Sequence, residues 1–307
     1  MSKIVLHVGT AKTGTTTIQK LLYEKKRSLE EAGVYCPIAG RLHPEMGGHH
    51  LLAWSILYPD KYDQSAWSLL LSELNCVDED QYPLIVLSSE NFSLLTPDNI
   101  SLVHNYLEDF DVTILVYLRN QKDFMISLYK QFIKTGHYHD EFGCFARDYI
   151  DHCDYSLWLE GWISAFGINN LCVKAFDRAK QPPGLVSDFF STVLSMSGQT
   201  EFIFTGNWKR HDGVSPSRRS IKILRFINKV EDKFSSRYVH TGTSILRRKL
   251  IWRTKLGHML EELSGLIFIE DLYDVEDIAF LRDYLRAGDK KRFESFMLSE
   301  DRDLFDF

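Results

Sequence analysis

Residues 4–18 read Ile4-Val5-Leu6-His7-Val8-Gly9-Thr10-Ala11-Lys12-Thr13-Gly14-Thr15-Thr16-Thr17-Ile18, and this stretch decides the fold. Residues 4–8 form a short apolar run rich in β-branched side chains that stops at Gly9. From Thr15 onward, Ile18, Leu21 and Leu22 fall on one face of a helical period. The reading is strand, tight loop, helix. A glycine-containing turn lets backbone N–H groups converge, and the helix N-terminus adds the positive end of its dipole. Residues 9–16 therefore predict a site for a phosphate-like anion.

The Walker A pattern G-x-x-x-x-G-K-[ST] is half met. Gly9 and Gly14 keep its spacing, but Thr15 stands where the lysine belongs and Lys12 lies inside the loop. A Walker lysine reaches the β- and γ-phosphates. A lysine three residues earlier is better placed to meet a bridging oxygen at the near end of a shorter ligand. Nucleoside triphosphate hydrolysis is thus the weaker reading.

Working outward, residues 84–87 and 112–118 are further buried-strand candidates, the second followed by a helical stretch at 123–133. A fourth strand is expected at 171–176, after the aromatic helix SLWLEGWISAF. Strands apolar on both faces that alternate with helices indicate a parallel sheet covered on both sides. After Pro182-Pro183 the segment LVSDFFSTVL reads as a helix, and the pattern is helical nearly throughout from Ser217. Residues 197–215, divided by Gly198, Gly206 and Gly213, read as an active-site or capping loop. The expectation is one large α/β domain, with a nucleotide-binding core over 1–200 and a mostly helical extension or lid over 201–307.

The segment VGTAKTGTTTIQ resembles the 5′-phosphosulfate-binding loop of sulfotransferases that use 3′-phosphoadenosine 5′-phosphosulfate, whose loop has a Lys-x-Gly-Thr-Thr core. Their second element, a strand ending in Arg with a Ser on the next helix, is matched by VYLRNQKDFMISLYKQF, giving Arg119 and Ser127. The family usually has Pro after the Arg-Asn pair, where this chain has Gln121. A fainter echo is VKAFDRAKQPPGLVSDFFSTVL, like the strand, loop and helix that end the family's nucleotide fold. The resemblance implies a three-layer, P-loop-like fold with a central parallel sheet, and a metal-free site. It also implies that Ala11, Lys12, Thr13, Gly14, Thr15, Thr16 and Thr17 cradle the 5′-phosphosulfate while Arg119 and Ser127 hold the 3′-phosphate. Lys209 and Arg210, after Trp208, are similar to a basic loop that folds over the 3′-phosphate in the family, with a solvated turn as the alternative.

Sulfuryl transfer needs a held donor, a neutralised leaving phosphate and a base for the acceptor hydroxyl. Lys12 is assigned to the leaving oxygen. For the base, Glu90 in VLSSENFSLL follows the second strand and is similar to the strand-end glutamate of glycosaminoglycan-type sulfotransferases. It could instead help to cap the turn that follows. His49 and His50 in GGHHLLAW are the rival bases, since the steroid and phenol branch uses a histidine; the pair could equally shape an acceptor pocket. The expected acceptor is a hydroxyl on a carbohydrate or glycolipid. Trp54, Trp67, Trp158 and Trp162 suit either sugar stacking or the core. A metabolite kinase of the same fold, dependent on Mg²⁺, and a nucleotide-binding scaffold without turnover are the alternatives.

Composition agrees with an enzyme-sized globular chain: 307 residues, 44% hydrophobic and 25% charged. The formal charge of −6 gives no whole-protein attraction to nucleic acid. Residues 207–256 nevertheless hold 14 Lys/Arg against 3 Asp/Glu, a local basic face. Its helices read as core-packed with a solvated side, as a lid over an anionic acceptor, or as a peripheral membrane element. Five scattered cysteines without CxxC spacing argue against a disulfide framework or zinc knuckle. The N-terminus turns glycine-rich before a signal core could form, so a cytoplasmic location is expected.

Overall fold

The computed structural model describes residues 2–196 and 218–234. These fall into two compact units, one made of residues 2–120 and 155–196, the other of 121–154 and 218–234. In chain order, β1 (Lys3–His7) leads into α1 (Thr15–Glu24) and α2 (Lys26–Glu31), and β2 (Val34–Tyr35) follows. Next come α3 (His50–Leu57), α4 (Ala66–Leu74), β3 (Leu84–Ser88), α5 (Pro97–Tyr106) and β4 (Asp111–Leu118). The second unit begins with α6 (Gln121–Thr135) and α7 (Phe142–Asp148). The chain returns to the first with α8 (Tyr155–Phe166), β5 (Leu171–Ala175), α9 (Phe176–Ala179) and α10 (Leu185–Met196), and α11 (Arg218–Phe234) belongs to the second.

The first unit is built on one five-stranded sheet of order β2-β3-β1-β4-β5, in which every pair is parallel. Alternation along each strand feeds two cores. Ile4 and Leu6 of β1, Ile85 and Leu87 of β3, and Val112, Ile114 and Val116 of β4 face the layer that holds Trp67 and Trp162. Val5, Leu84, Val86, Leu115 and Tyr117 face the opposite layer, with Ile18 and Leu22 of α1 and Phe189 and Phe190 of α10. A sheet apolar on both faces must be covered twice, which is why these strands read as unbroken hydrophobic runs. This is the three-layer α/β fold expected. Among the tryptophans, Trp67 and Trp162 are core.

Register sets the site. His7 lies beside Ser88 on one flank and Leu115 on the other, so β1 and β3 end level while β4 runs three residues further toward the same edge, to Leu118. Connections from β1 run toward β3 and β2, while β4 connects toward β5. In an open parallel sheet the crevice for ligands opens at such a switch, here between the carboxyl ends of β1 and β4.

In the second unit, Phe124, Leu128 and Ile133 of α6 pack with Phe142 and Phe145 of α7 and with Ile221 and Leu224 of α11. Asn228 Nδ2 donates to the carbonyls of Ile133 and Tyr138, each at 2.8 Å. Over residues 218–234, therefore, the basic stretch is a core-packed helix. Among the described residues no helix is long and apolar enough to cross a membrane.

Candidate active site

The loop after β1 is shaped by its own backbone. Gly9, Lys12 and Gly14 have φ of 102°, 66° and 76°, and Lys12 is the one non-glycine residue with positive φ among those described. The sign of φ thus alternates from Ala11 to Gly14, the pattern that turns successive N–H groups toward one anion-sized concavity. Gly14 is the N-cap of α1 and offers no side-chain hydrogen bond to the helix start. The first amides of a helix lack intrahelical partners, so a ligand oxygen fits where a capping side chain would normally sit. Thr13 Oγ1 donates to the Thr10 carbonyl and Thr10 Oγ1 to that of Tyr117 (3.3 Å). These two hydroxyls hold the loop; Thr13 is fully buried and can serve a ligand only through its amide. Thr16 is exposed, whereas Thr15 is buried and Ala11 and Thr17 are half-buried.

Arg119, at the end of β4, joins this loop. Its Nη1 donates to the Lys12 carbonyl at 3.4 Å, and its guanidinium lies over the Phe176 ring, 5.7 Å from the centroid. The flanking backbone is fixed: Tyr155 donates its hydroxyl to the Arg119 carbonyl at 3.0 Å, and Asn120 N–H donates to Asp177 at 3.1 Å. Arg119 Nε is buried with no hydrogen-bond partner. A buried donor without an acceptor is costly, and an anionic ligand at the loop would supply one. Ser127 lies half-buried on α6 in the second unit.

Glu90 opens the turn after β3. The turn is capped by Ser89, whose Oγ accepts from Asn91 N–H at 3.2 Å, so Glu90 is not needed as the cap. Its Oε2 instead accepts a 2.6 Å hydrogen bond from Gln19 Nε2 on α1. A Cβ placed on Gly9 would lie 3.1 Å from Glu90 Cα, so the phosphate loop and the Glu90 backbone are in direct contact. The glutamate side chain keeps 27% of its surface exposed.

The neighbouring histidines are sharply different. His49 is fully buried; its Nδ1 accepts from Ser88 N–H (3.1 Å) and its Nε2 lies 2.9 Å from the Pro37 carbonyl. Burial, reinforced by the Arg41 charge, pushes its pKa down to about 3. Both ring nitrogens being engaged with backbone, His49 serves the framework and has no nitrogen to offer an acceptor. His50 is the one beside the carboxylate. Its Nδ1 lies 2.9 Å from Ser89 Oγ, 3.0 Å from Asn91 Nδ2 and 3.9 Å from Glu90 Oε2, and its ring stacks on Trp54. Gly47 and Gly48 permit this approach: an added Cβ would meet the Gln19 carbonyl oxygen at 1.5 Å and Gln19 Cδ at 3.0 Å respectively.

Beneath the loop, Tyr117 exchanges backbone hydrogen bonds with Gly9 and Thr10. Its hydroxyl donates to Asp188 (2.6 Å), which also accepts from Lys174 (2.8 Å). His7, fully buried, shares a 2.8 Å hydrogen bond with Ser88, and burial pushes its pKa down to about 3. Gln19 and Tyr117 were invisible as site residues in the sequence, since each sits in an ordinary periodic pattern and its partners lie 69–107 positions away. Lys209 and Arg210 lie outside the described residues, as do Ser197 to Ser217. Among the described residues no group of three or more His, Cys, Asp or Glu could hold a metal.

No protein-family model matches the chain, and no curated protein matches it in sequence. Among solved structures it is similar to a sulfotransferase from Alicyclobacillus acidocaldarius, with 15% identity and a TM-score of 0.44 over 76% of this chain and 96% of that one.

Proposed function

We propose that the protein is a sulfotransferase that moves a sulfuryl group from 3′-phosphoadenosine 5′-phosphosulfate to a hydroxyl of a carbohydrate or glycolipid. The observation that carries this reading is one edge of a sheet bearing three things at once. They are an anion loop with an uncapped helix start, an arginine donor bound to that loop, and a half-buried carboxylate touching the same loop. A nucleotide donor supplies an activated sulfuryl group whose leaving group is a phosphate.

Within that reading, the loop amides with Thr15 and Thr16 would hold the 5′-phosphate, and Lys12 neutralises charge growing on the bridging oxygen. Arg119, with its orphaned Nε–H, would meet the donor's 3′-phosphate, and Ser127 keeps its assignment to that phosphate on the basis of sequence. Glu90 takes the proton of the acceptor hydroxyl; its backbone contact with Gly9 keeps the base beside the donor loop. His49 leaves the list of bases because its nitrogens are spent, and His50 shapes the acceptor side of the carboxylate. Preorganised donors aimed at developing charge are the largest single contribution in chemistry of this type. Lys209 and Arg210 remain assigned as late contacts to the 3′-phosphate on the basis of sequence.

Calorimetric titration with adenosine 3′,5′-bisphosphate, and separately with ATP plus Mg²⁺, tests the reading. Metal-free binding of the bisphosphate that is lost in Arg119→Ala is the expected result. Binding of ATP alone, and only with Mg²⁺, would replace the sulfotransferase by a kinase.

A further inference from the structure

The described contacts of Glu90 single out a residue on another element. Gln19 is 6% exposed, and its Nε2 donates to Glu90 Oε2 at 2.6 Å and approaches Ser88 Oγ at 3.5 Å. Gly47 lies against its carbonyl and Gly48 against its Cδ, so this glutamine is clamped between the end of β3 and the 44–50 segment. Glutamine donates through N–H groups of fixed plane and carries no charge. A buried amide held from two sides has lost its rotamer freedom before any ligand arrives.

Resting on the sulfotransferase reading above, we infer that Gln19 is a positioning residue for Glu90. It binds Oε2, which turns Oε1 toward the acceptor, and it fixes the base to α1, the helix whose first turn holds the donor. In the transfer, the acceptor oxygen forms its bond to sulfur while the bond from sulfur to the bridging oxygen breaks. The electron pair stays on the departing 5′-phosphate and the hydroxyl proton goes to Glu90 Oε1. One helix therefore sets both ends of the reacting line. Thr15 and Gln19 are four residues apart on α1, about 6 Å along its axis. Misplacing a reacting group by ~1 Å lowers rates by about 100-fold, so the donor-to-base spacing is a quantity worth fixing through one helix and one hydrogen bond.

The test uses the full chain, radiolabelled 3′-phosphoadenosine 5′-phosphosulfate and a mixed panel of methyl hexopyranosides. Two variants are compared with wild type. Gln19→Met keeps the volume and removes the donor; Gln19→Glu keeps the shape and puts an acceptor where the donor was. Adenosine 3′,5′-bisphosphate affinity within twofold of wild type shows that α1 is folded in each. The expected result is a fall in kcat on the order of 10–100-fold for Gln19→Met, a larger fall for Gln19→Glu, and little change in KM for the nucleotide. If both variants turn over within twofold of wild type while Glu90→Gln is inactive, the positioning inference is wrong and the sulfotransferase stands. If wild type neither binds the bisphosphate nor labels any panel member, the functional reading fails, and the inference with it.

Discussion

Lys12 stands in a left-handed conformation within a loop whose other two left-handed positions are glycines. A lysine held there places its backbone carbonyl against Arg119, and the proposed function sets its charge against the donor's bridging oxygen. Lys12→Ala should lower the transfer rate by about 100- to 1000-fold while weakening bisphosphate affinity less than tenfold, because its main contact strengthens in the transition state. Single-turnover kinetics alongside calorimetry separate the two quantities. Glu90→Gln should abolish transfer to a carbohydrate acceptor with the fold intact. The opposite pattern, turnover near wild type in Glu90→Gln and its loss in a folded His49→Ala, would return the base to the histidine. At this scale the sequence was legible where a residue type has few uses, as with Lys12 inside a glycine loop. It was ambiguous at His49 and His50, because adjacency in a chain does not say which ring the fold buries.

The elements that carry the site meet through glycines. Gly47 has the closest approach, with the Gln19 carbonyl only 1.5 Å from where a Cβ would stand. Neither partner is a flexible side-chain tip, so Gly47→Ala should destabilise by about 3 kcal/mol, read from the urea midpoint, and should displace the segment that presents His50. Gly14→Ala combines a φ of 76° with a contact to Leu185 Cδ2 at 2.4 Å, but the leucine can rotate away. Its expected loss is about 1–2 kcal/mol for the left-handed backbone, together with weaker bisphosphate binding. Strands β1, β3 and β4 were readable as apolar runs because they are buried on both faces. The edge strand β2 was not, since two residues carry no period. The turn opened by Glu90 was readable as a helical cap, yet the Gln19 contact depends on strand order, which local patterns do not encode.

At the scale of the whole molecule, two buried histidines among the described residues, His7 and His49, make acid the weak direction. The folded-state pKa values of His7 and His49 lie near 3, below the unfolded value of 6.5. Between those values the unfolded chain binds more protons than the folded one. Their contribution is therefore complete above pH 6.5 and is lost progressively as pH falls toward 3. Each should remove on the order of 1 kcal/mol of stability per pH unit in that range. Urea denaturation at several pH values checks the slope, and His49→Gln, whose amide can both donate and accept, should reduce it by about half. The α/β class and the sheet's coverage were legible because alternating strands and helices admit few architectures. The partition into two units was not, since no proline or glycine marks the chain where it passes from one to the other at 120–121 and 154–155.

The bond from the Tyr155 hydroxyl to the Arg119 carbonyl pins together the points where the chain leaves the sheet-bearing unit and comes back to it. Because both stems are anchored to one another, the length of what hangs between them scarcely affects the sheet; doubling a flexible connection adds only about 0.6 kcal/mol of closure entropy. An insertion past α6 and its Ser127, between that helix and α8, is thus a graft that the phosphate loop and the glutamate beside it need not feel.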